Sequence, residues 1–514
     1  MAPRFSPRAC LWKGSTGDDT AARLIVEKTL VAYREAFAEL DESARARVRA
    51  GRKLGVILAT TKGTLDDEIW RGEDARLDRD FLSPILDEIV KKASLSPARK
   101  TTVSNACASA LSAFSLARAW LASGELDDVL VVAVDRIGPF VLHGFHSLRA
   151  VTDDVPRPFG TDRSGLLLGE ASAALFLSAH PGEFQIAGVG VDAEGHAVTR
   201  PAESGASLRD ACIAALSDTR PDLVIAHGTA TEVNDPVEAR VLAELFPEGD
   251  VPITASKGAL GHTLGASGAL DLILAREAIR RGEVFTISQT TEIDPKFSGK
   301  FLASPSPGTV ATIPGNYGRV LVTSLGFGGI HAAARLERTS TPAAYDPVRA
   351  PASSPVAAAA DKHSFRFPAK VAPEWAPRVE RWYQLDPYAF GMADAAYAWG
   401  EDGRPDIVFL ASPAGSNATD AEFANAGARS PSLFVHSLPN VRSSAFCQVL
   451  GWRGPLYCLQ SDPATFADAT EEARRFHRLT GKSVWVVGIE RIARNGEGAM
   501  DDYLVRRFRI GGEA

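Results

Sequence analysis

"ARAWLASGELDDVLVVAVDRI" (117–137) reads in three parts: a helix end, a turn carrying Gly124, and a strand closing on Asp135–Arg136–Ile137. A strand this apolar is buried on both faces, which requires helices on both sides of its sheet. The same order recurs as "ARRFHRLTGKSVWVVGIERI" (473–492), with Gly481 in the turn and Glu490–Arg491–Ile492 at the strand end. Chance supplies apolar strands readily. It does not readily supply the shared succession of helix, glycine turn and acid–Arg–Ile. The C-terminal region is therefore read as a further copy of one α/β fold unit.

Other segments have the same character. "KLGVILATT" (53–61), "EASAALFLS" (170–178), "DLVIAHGT" (222–229) and "RVLVTSLGFGG" (319–329) read as strands, between amphipathic stretches such as "DDTAARLIVEKTLVAYREAFAEL" and "GALDLILAREAIRRG". The alternation predicts an α/β architecture with helices covering the sheets. Residues 338–372, opening "RTSTPAAYDPVRAPASSPVAAAADK", lack either period and are rich in Pro, Ala and Ser, so they read as a linker. It separates a region 1–337 from a region 373–514.

A chain of 514 residues, 45% hydrophobic and 23% charged, is long enough for several domains with a sizeable core. The net charge of -7 argues against general binding to nucleic acid or to anionic membrane. Five cysteines (10, 107, 212, 447 and 458) are scattered, without CxxC or His/Cys spacing. That pattern disfavours a disulfide framework or a metal site and fits a reducing cytoplasm. No segment has the roughly 18 uncharged apolar residues of a membrane span, and the first residues lack the apolar run of a signal peptide.

Ten residues before Ala117 stands Cys107, in "VSNACASALSAF" (103–114), where a helical pattern begins. A helix start favours a thiolate there, because unpaired N–H groups and the helix dipole favour negative charge. Most free cysteines are small buried hydrophobes instead. Two histidines then fall where strands give way to small-residue turns, His227 in "VIAHGTATEVNDPVEA" and His262 in "ASKGALGHTLGASGALD". "TSLGFGGI" (323–330) adds closely spaced glycines whose backbone can approach a ligand. In the second copy, the residue opposite Cys107 is Pro463, beside Asp462.

"NACASA", "RPFGTDRSGLLLGEASA" (157–173), "HGTATEVNDPVEA", "SKGALGHTLGASGA" and "LGFGG" together resemble the elongating β-ketoacyl-acyl-carrier-protein synthases, condensing enzymes of the thiolase fold. The resemblance implies a layered α/β fold of two related halves, about 1–180 and 181–337, followed by a C-terminal half-unit of the same type without a nucleophile. It implies that Cys107 receives an acyl chain and that His227 and His262 stabilise the enolate formed when malonyl carrier protein loses carbon dioxide. The backbone N–H groups of Cys107 and Phe327 would form an oxyanion hole, with Phe327 gating the acyl pocket. Lys257 would order the histidines, paired with Glu238, and Thr229 and Thr231 would touch the pantetheine arm. No metal or cofactor of its own is implied, since phosphopantetheine arrives on the acyl carrier protein. The implied assembly is a homodimer or a synthase-type heterodimer in the cytoplasm.

Other residues are read structurally. Asp162 and Arg163 are placed to tie down a loop, and Asp235 stands near a helix cap with Pro236 at the first position. Cys212, His143, His146, His180 and His196 lack matching context. The sequence also departs from the family. Only "PRACLWKG" is available for the family's first strand, and the stretch before the nucleophile is short. Thr323–Ser324–Leu325 replaces Asn–Ser–Phe, and His331 replaces an Asn. "SLFVHSLPNVRSSAFCQVLGWRGPLYCLQSDPATF" resembles a synthase N-terminal half, especially in "LPN" and "GWRGP". The rival readings are a non-catalytic chain-length-factor-like partner and a Cys-dependent acyltransferase or thioesterase.

Overall fold

The computed structural model describes residues 21–63, 82–196, 201–339, 359–367, 371–400, 403–412, 416–461, 465–493 and 501–511. "PRACLWKG", Asp462 and Pro463 lie outside the described residues.

The strands follow the apolar runs. The first unit holds β1 (Leu54–Ala59), β2 (Arg99–Val103), β3 (Asp128–Asp135) and β4 (Ala171–Ser178). The chain then crosses to a second unit with β5 (Phe184–Ala193), β6 (Leu223–Ala226) and β7 (Pro252–Ala255). In this unit β8 (Glu283–Phe285) pairs with β10 (Thr312–Pro314), while β9 (Lys300–Phe301) lies beside β7. β11 (Arg319–Gly326) and β12 (Ile330–Arg338) complete the unit. A third unit holds β13 (Ala359–Phe367), β14 (Ile407–Ala411), β15 (Leu456–Gln460), β16 (Val484–Ala493) and β17 (Asp501–Ile510).

One strand order recurs. The second unit runs β7-β6-β11-β12-β5 and the third β15-β14-β16-β17-β13. In each, three parallel strands are followed by two antiparallel ones. The first unit runs β2-β1-β3-β4 with the same directions, and among the described residues it has no counterpart of β5 or β13. β13 lies inside the stretch read as a linker. Its partner β17 is more than a hundred residues away in sequence, so the local Pro/Ala composition concealed the strand. The third unit accordingly begins at Ala359 rather than at residue 373.

The first and third sheets meet edge to edge. β15 pairs antiparallel with β2 (Leu459 with Val103, Gln460 with Thr102), giving a nine-stranded sheet among the described residues. Asn105 strengthens this seam, its Nδ2 donating to the Leu456 carbonyl (2.9 Å) and its Oδ1 accepting from Cys458 N (2.8 Å). Polar side-chain contacts flank the seam. Trp120 Nε1 donates to Glu472 (2.8 Å), Arg99 reaches the same carboxylate (2.9 Å), and the fully buried Arg475 reaches Glu125 (2.7 Å). The apolar half-unit thus covers an otherwise open sheet edge.

Between the first and second sheets lie the helices Ser109–Ala122 and Ser267–Arg281. The Ala- and Ser-rich sequence of the first permits close approach, and that helix is buried nearly all round, as a helix between two sheets must be. This middle layer starts each helix at the end of β2 or in the turns after β7. That placement brings Cys107 and His262 together.

Candidate active site

Two turns share one construction. Ala106 (φ 47°) opens a 3₁₀ turn, Ala106–Ala108, that leads into the helix from Ser109; Leu264 (φ 52°) opens Leu264–Ala266, which leads into the helix from Ser267. Cys107 in the first matches Gly265 in the second. A Cβ on Gly265 would lie 2.8 Å from Asp135 Oδ2, which accepts the Gly265 N–H (2.7 Å). The third unit retains the flanking bond: Ser461 N donates to Thr465 Oγ1 (2.8 Å), as Asn105 N donates to Ser109 Oγ (2.9 Å). Non-glycine residues at positive φ are costly and gather at functional turns.

Cys107 Sγ lies 3.0 Å from His262 Nε2, whose Nδ1 is 3.2 Å from Ser267 Oγ. Burial pushes the thiol up to about 12, and Asp135 adds to this. Lys257 and the backbone N–H groups of Phe327 and Cys107 act against it. A helix-start thiolate was expected; the resting group is a neutral thiol, because desolvation outweighs the nearby donors. His262 is held well below its ordinary value of 6.5, first by burial and then by the Lys257 charge. His227 is lowered likewise, by burial, Lys257, His262 and His331. The two rings stand 5.2 Å apart and nearly perpendicular (89°). Neither ring nitrogen of His227 has a hydrogen-bond partner among the described residues, although the residue is 1% exposed.

The supporting pairs differ from expectation. Glu238 accepts from the His227 and Gly228 N–H groups (both 2.8 Å) and from Thr323 Oγ1 (2.5 Å), so it fixes the backbone of the His227 turn. Lys257 is paired instead with Asp271, at 3.6 Å, a buried contact longer than a hydrogen bond. Asp271 lies on the helix Ser267–Arg281, which points it back at the lysine, while Glu238 is already occupied by its own turn. Asp235 does not cap its helix. Its carboxylate accepts from Phe159 N (2.7 Å) and Thr229 N (3.0 Å), binding two loops together, and burial raises it to about 7. Arg163 bonds Gly160 O (2.9 Å) and Asp294 (2.7 Å), and Asp162 pairs with Arg157 (3.2 Å).

A cavity of about 620 Å³ gathers Cys107, His227, His262, Thr229, Thr231 and Phe327 in its lining. Thr229 and Thr231 share a hydroxyl–hydroxyl bond of 3.0 Å. His196, read above as structural, lines this cavity too, as do Gln384, Ser432 and His436 of the third unit. Sequence reasoning missed three further parts. Asp135 accepts from Thr60 Oγ1 and Thr61 N (both 2.9 Å) and from Gly265, joining the first unit to the second, and burial raises it to about 6. The acid ending the strand motif was its signal. His331 pairs with Glu194 at 3.1 Å, both buried. Asn440 of the third unit holds the Phe327 carbonyl. Its signal was "LPN", seen only as a resemblance.

Residues 96–181 match the family model "Beta-ketoacyl synthase, N-terminal domain", and 184–290 match "Beta-ketoacyl synthase, C-terminal domain". Nodulation protein E of Rhizobium sp. (strain N33) is 32% identical over 210 residues, covering 38% of this chain and 52% of the relative. The mitochondrial 3-oxoacyl-[acyl-carrier-protein] synthase of Arabidopsis thaliana is 29% identical over 254 residues, covering 44% and 54%. The chain thus spans about half the length of these curated relatives. Among solved structures, "PfaC Keto synthase-Chain length factor" aligns with a TM-score of 0.72 and 16% identity over 94% of this chain and 69% of that one. A β-ketoacyl synthase from Burkholderia phymatum STM815 aligns at 0.53 and 25% identity over 62% and 82%. With matches in the expected order, a layered fold of repeated halves and the cysteine–histidine cavity, residues 96–290 are similar to the β-ketoacyl synthase family of thiolase-like proteins.

Proposed function

We propose that the chain catalyses a decarboxylating Claisen condensation of an acyl–Cys107 thioester with malonyl carrier protein, in fatty-acid or polyketide-type synthesis. The observation that carries the reading is the Cys107 Sγ–His262 contact of 3.0 Å beside the unpartnered, buried His227 in one cavity.

In the first half-reaction Sγ attacks the acyl thioester carbonyl. The Sγ–H proton passes to His262 Nε2 and then to the departing carrier thiolate, whose C–S bond breaks as the Sγ–C bond forms. The neutral thiol makes this proton acceptor necessary. The backbone N–H groups of Cys107 and Phe327, already directed at Sγ, receive the oxyanion. In the second, the malonyl carboxylate leaves as carbon dioxide and its bonding pair becomes the enolate. Neutral imidazoles offer N–H donors to that oxygen, and burial, reinforced by the Lys257 charge, keeps both rings neutral. Ser267 Oγ, both donor and acceptor, suits either tautomer of His262. The enolate carbon bonds to the acyl carbon, the C–Sγ bond breaks, and one proton from solvent restores the thiol.

The acyl carrier protein is the partner, its phosphopantetheine arm reaching Thr229 and Thr231, and the chain needs no metal or cofactor of its own. The third unit occupies the open edge of β2, so any homodimer or heterodimer forms through another surface. Four free cysteines among the described residues fit a cytoplasmic setting. The test is incubation with acyl and malonyl carrier proteins, measuring carbon dioxide and the β-ketoacyl product. Acyl–Cys107 without either product would overturn condensation in favour of simple acyl transfer.

A further inference from the structure

His331 lines the same cavity as Cys107 and His227, and neither half-reaction uses it. It stands near the start of β12, in register with Leu325 of β11, while His227 follows β6 on the other side of β11. The two imidazoles are near enough for a charge on His331 to act on His227. Each residue is 1% exposed.

The outer side of His331 is fixed. Its Nε2 lies 3.1 Å from Glu194 Oε2, and both oxygens of that carboxylate accept the Ala202 N–H at 3.0 Å. Glu194 is itself held to the Phe327 loop, its N–H donating to the Gly329 carbonyl (2.8 Å). Glycine permits this approach: residue 329 has φ 69°, and a Cβ there would lie 2.4 Å from Glu194 Cγ. A carboxylate accepts and does not donate, so Nε2 carries the imidazole proton and Nδ1 presents a lone pair. That Nδ1 is buried and has no hydrogen-bond partner among the described residues.

His227 has the complementary need. A neutral imidazole has one N–H, and the enolate requires it aimed at its oxygen. The other nitrogen is then an acceptor, and it too lacks a partner among the described residues. Two acceptors cannot bond each other, but one water can donate a hydrogen to each. Buried waters are held in place by polar groups left unsatisfied in this way.

Resting on the enolate reading of His227, we infer that the Glu194–His331 pair positions His227: through one bridging water it holds the His227 proton on the nitrogen that faces the substrate. Without the bridge that proton is shared between the two nitrogens, and fewer molecules present a donor to the enolate.

The experiment labels the histidines of the full chain with nitrogen-15 and reads the His227 ring by NMR at about pH 8, where imidazoles are neutral. His227→Ala identifies the signals. Wild type should show one tautomer and His331→Phe a mixture. Glu194→Gln keeps the packing, but its amide no longer dictates which His331 nitrogen carries the proton, so it should give a mixture too. His331→Asn keeps an acceptor oxygen for the water and should restore the single tautomer. In His331→Phe, carbon dioxide release from malonyl carrier protein should fall by about tenfold relative to Cys107 acylation, the value of one hydrogen bond, and His331→Asn should recover it. An unchanged His227 tautomer in both His331→Phe and Glu194→Gln overturns the positioning role while leaving the enolate reading intact. A single tautomer that both variants lose, with no carbon dioxide from wild type, upholds the bridge and overturns the enolate reading instead.

Discussion

Asn440 Nδ2 donates to the Phe327 carbonyl at 2.8 Å, so a third-unit residue fixes the loop whose N–H faces Cys107 Sγ. Asn440 is fully buried in the turn opening the helix Arg442–Leu450. Asn440→Ala should slow acylation of Cys107 by about tenfold, the value of one well-placed neutral hydrogen bond. Asn440→Asp, which cannot donate when ionised, should be no better. Stopped-flow acylation with a parallel melting curve checks this, and wild-type rates in a stable Asn440→Ala protein would remove Asn440 from the site.

The two histidines should separate. His227 is not a hydrogen-bond partner of Sγ, so His227→Ala should lose about a hundred- to a thousandfold in decarboxylation while acylation largely survives. His262 touches Sγ and should fail in both half-reactions. Measuring carbon dioxide release against acyl-enzyme formation distinguishes them; the reverse pattern would exchange their roles.

Lys257→Met should move the acid limb of decarboxylation. The lysine charge lowers both histidines, since a nearby cation disfavours a second one. Removing it raises both, so protonation, which destroys the neutral donors, begins at higher pH. The pH–rate profile should therefore lose activity nearer neutrality than wild type does. An unshifted limb would leave Lys257 without this electrostatic role.

A chain ending at residue 340 should lose the covering of β2. Its open edge, with Arg99, Glu125 and Trp120 stripped of Glu472 and Arg475, favours edge-to-edge association. Light scattering should show dimers or larger species, and Cys107 acylation should fall. A stable, fully active monomer would show that the third unit is dispensable.

Much of this was legible because apolar runs mark buried strands and small-residue turns mark sites. The strands ending at Asp135 and Ala226, and the cavity lined by Cys107, His227 and His262, follow from those patterns. The Lys257–Asp271 pair was not legible, since two carboxylates lay within reach in sequence and only the helix direction chooses between them. β13 was hidden because an edge strand takes its bonding from distant β17. Asn440 reaches the site across a seam between units, and no local period records such long-range pairing. The charge state of Cys107 was misjudged for a related reason: depth of burial belongs to the assembled layers, not to the helix start.

The β2–β15 seam also determines how the site behaves on dilution. In an assembly of separate chains, the groups that hold Phe327 and complete the cavity lining leave when the partner dissociates. Here they are tethered, and their effective concentration is set by the connecting chain. Specific activity should therefore stay constant from micromolar down to picomolar protein, and catalytic and accompanying units are made in fixed one-to-one proportion by translation itself.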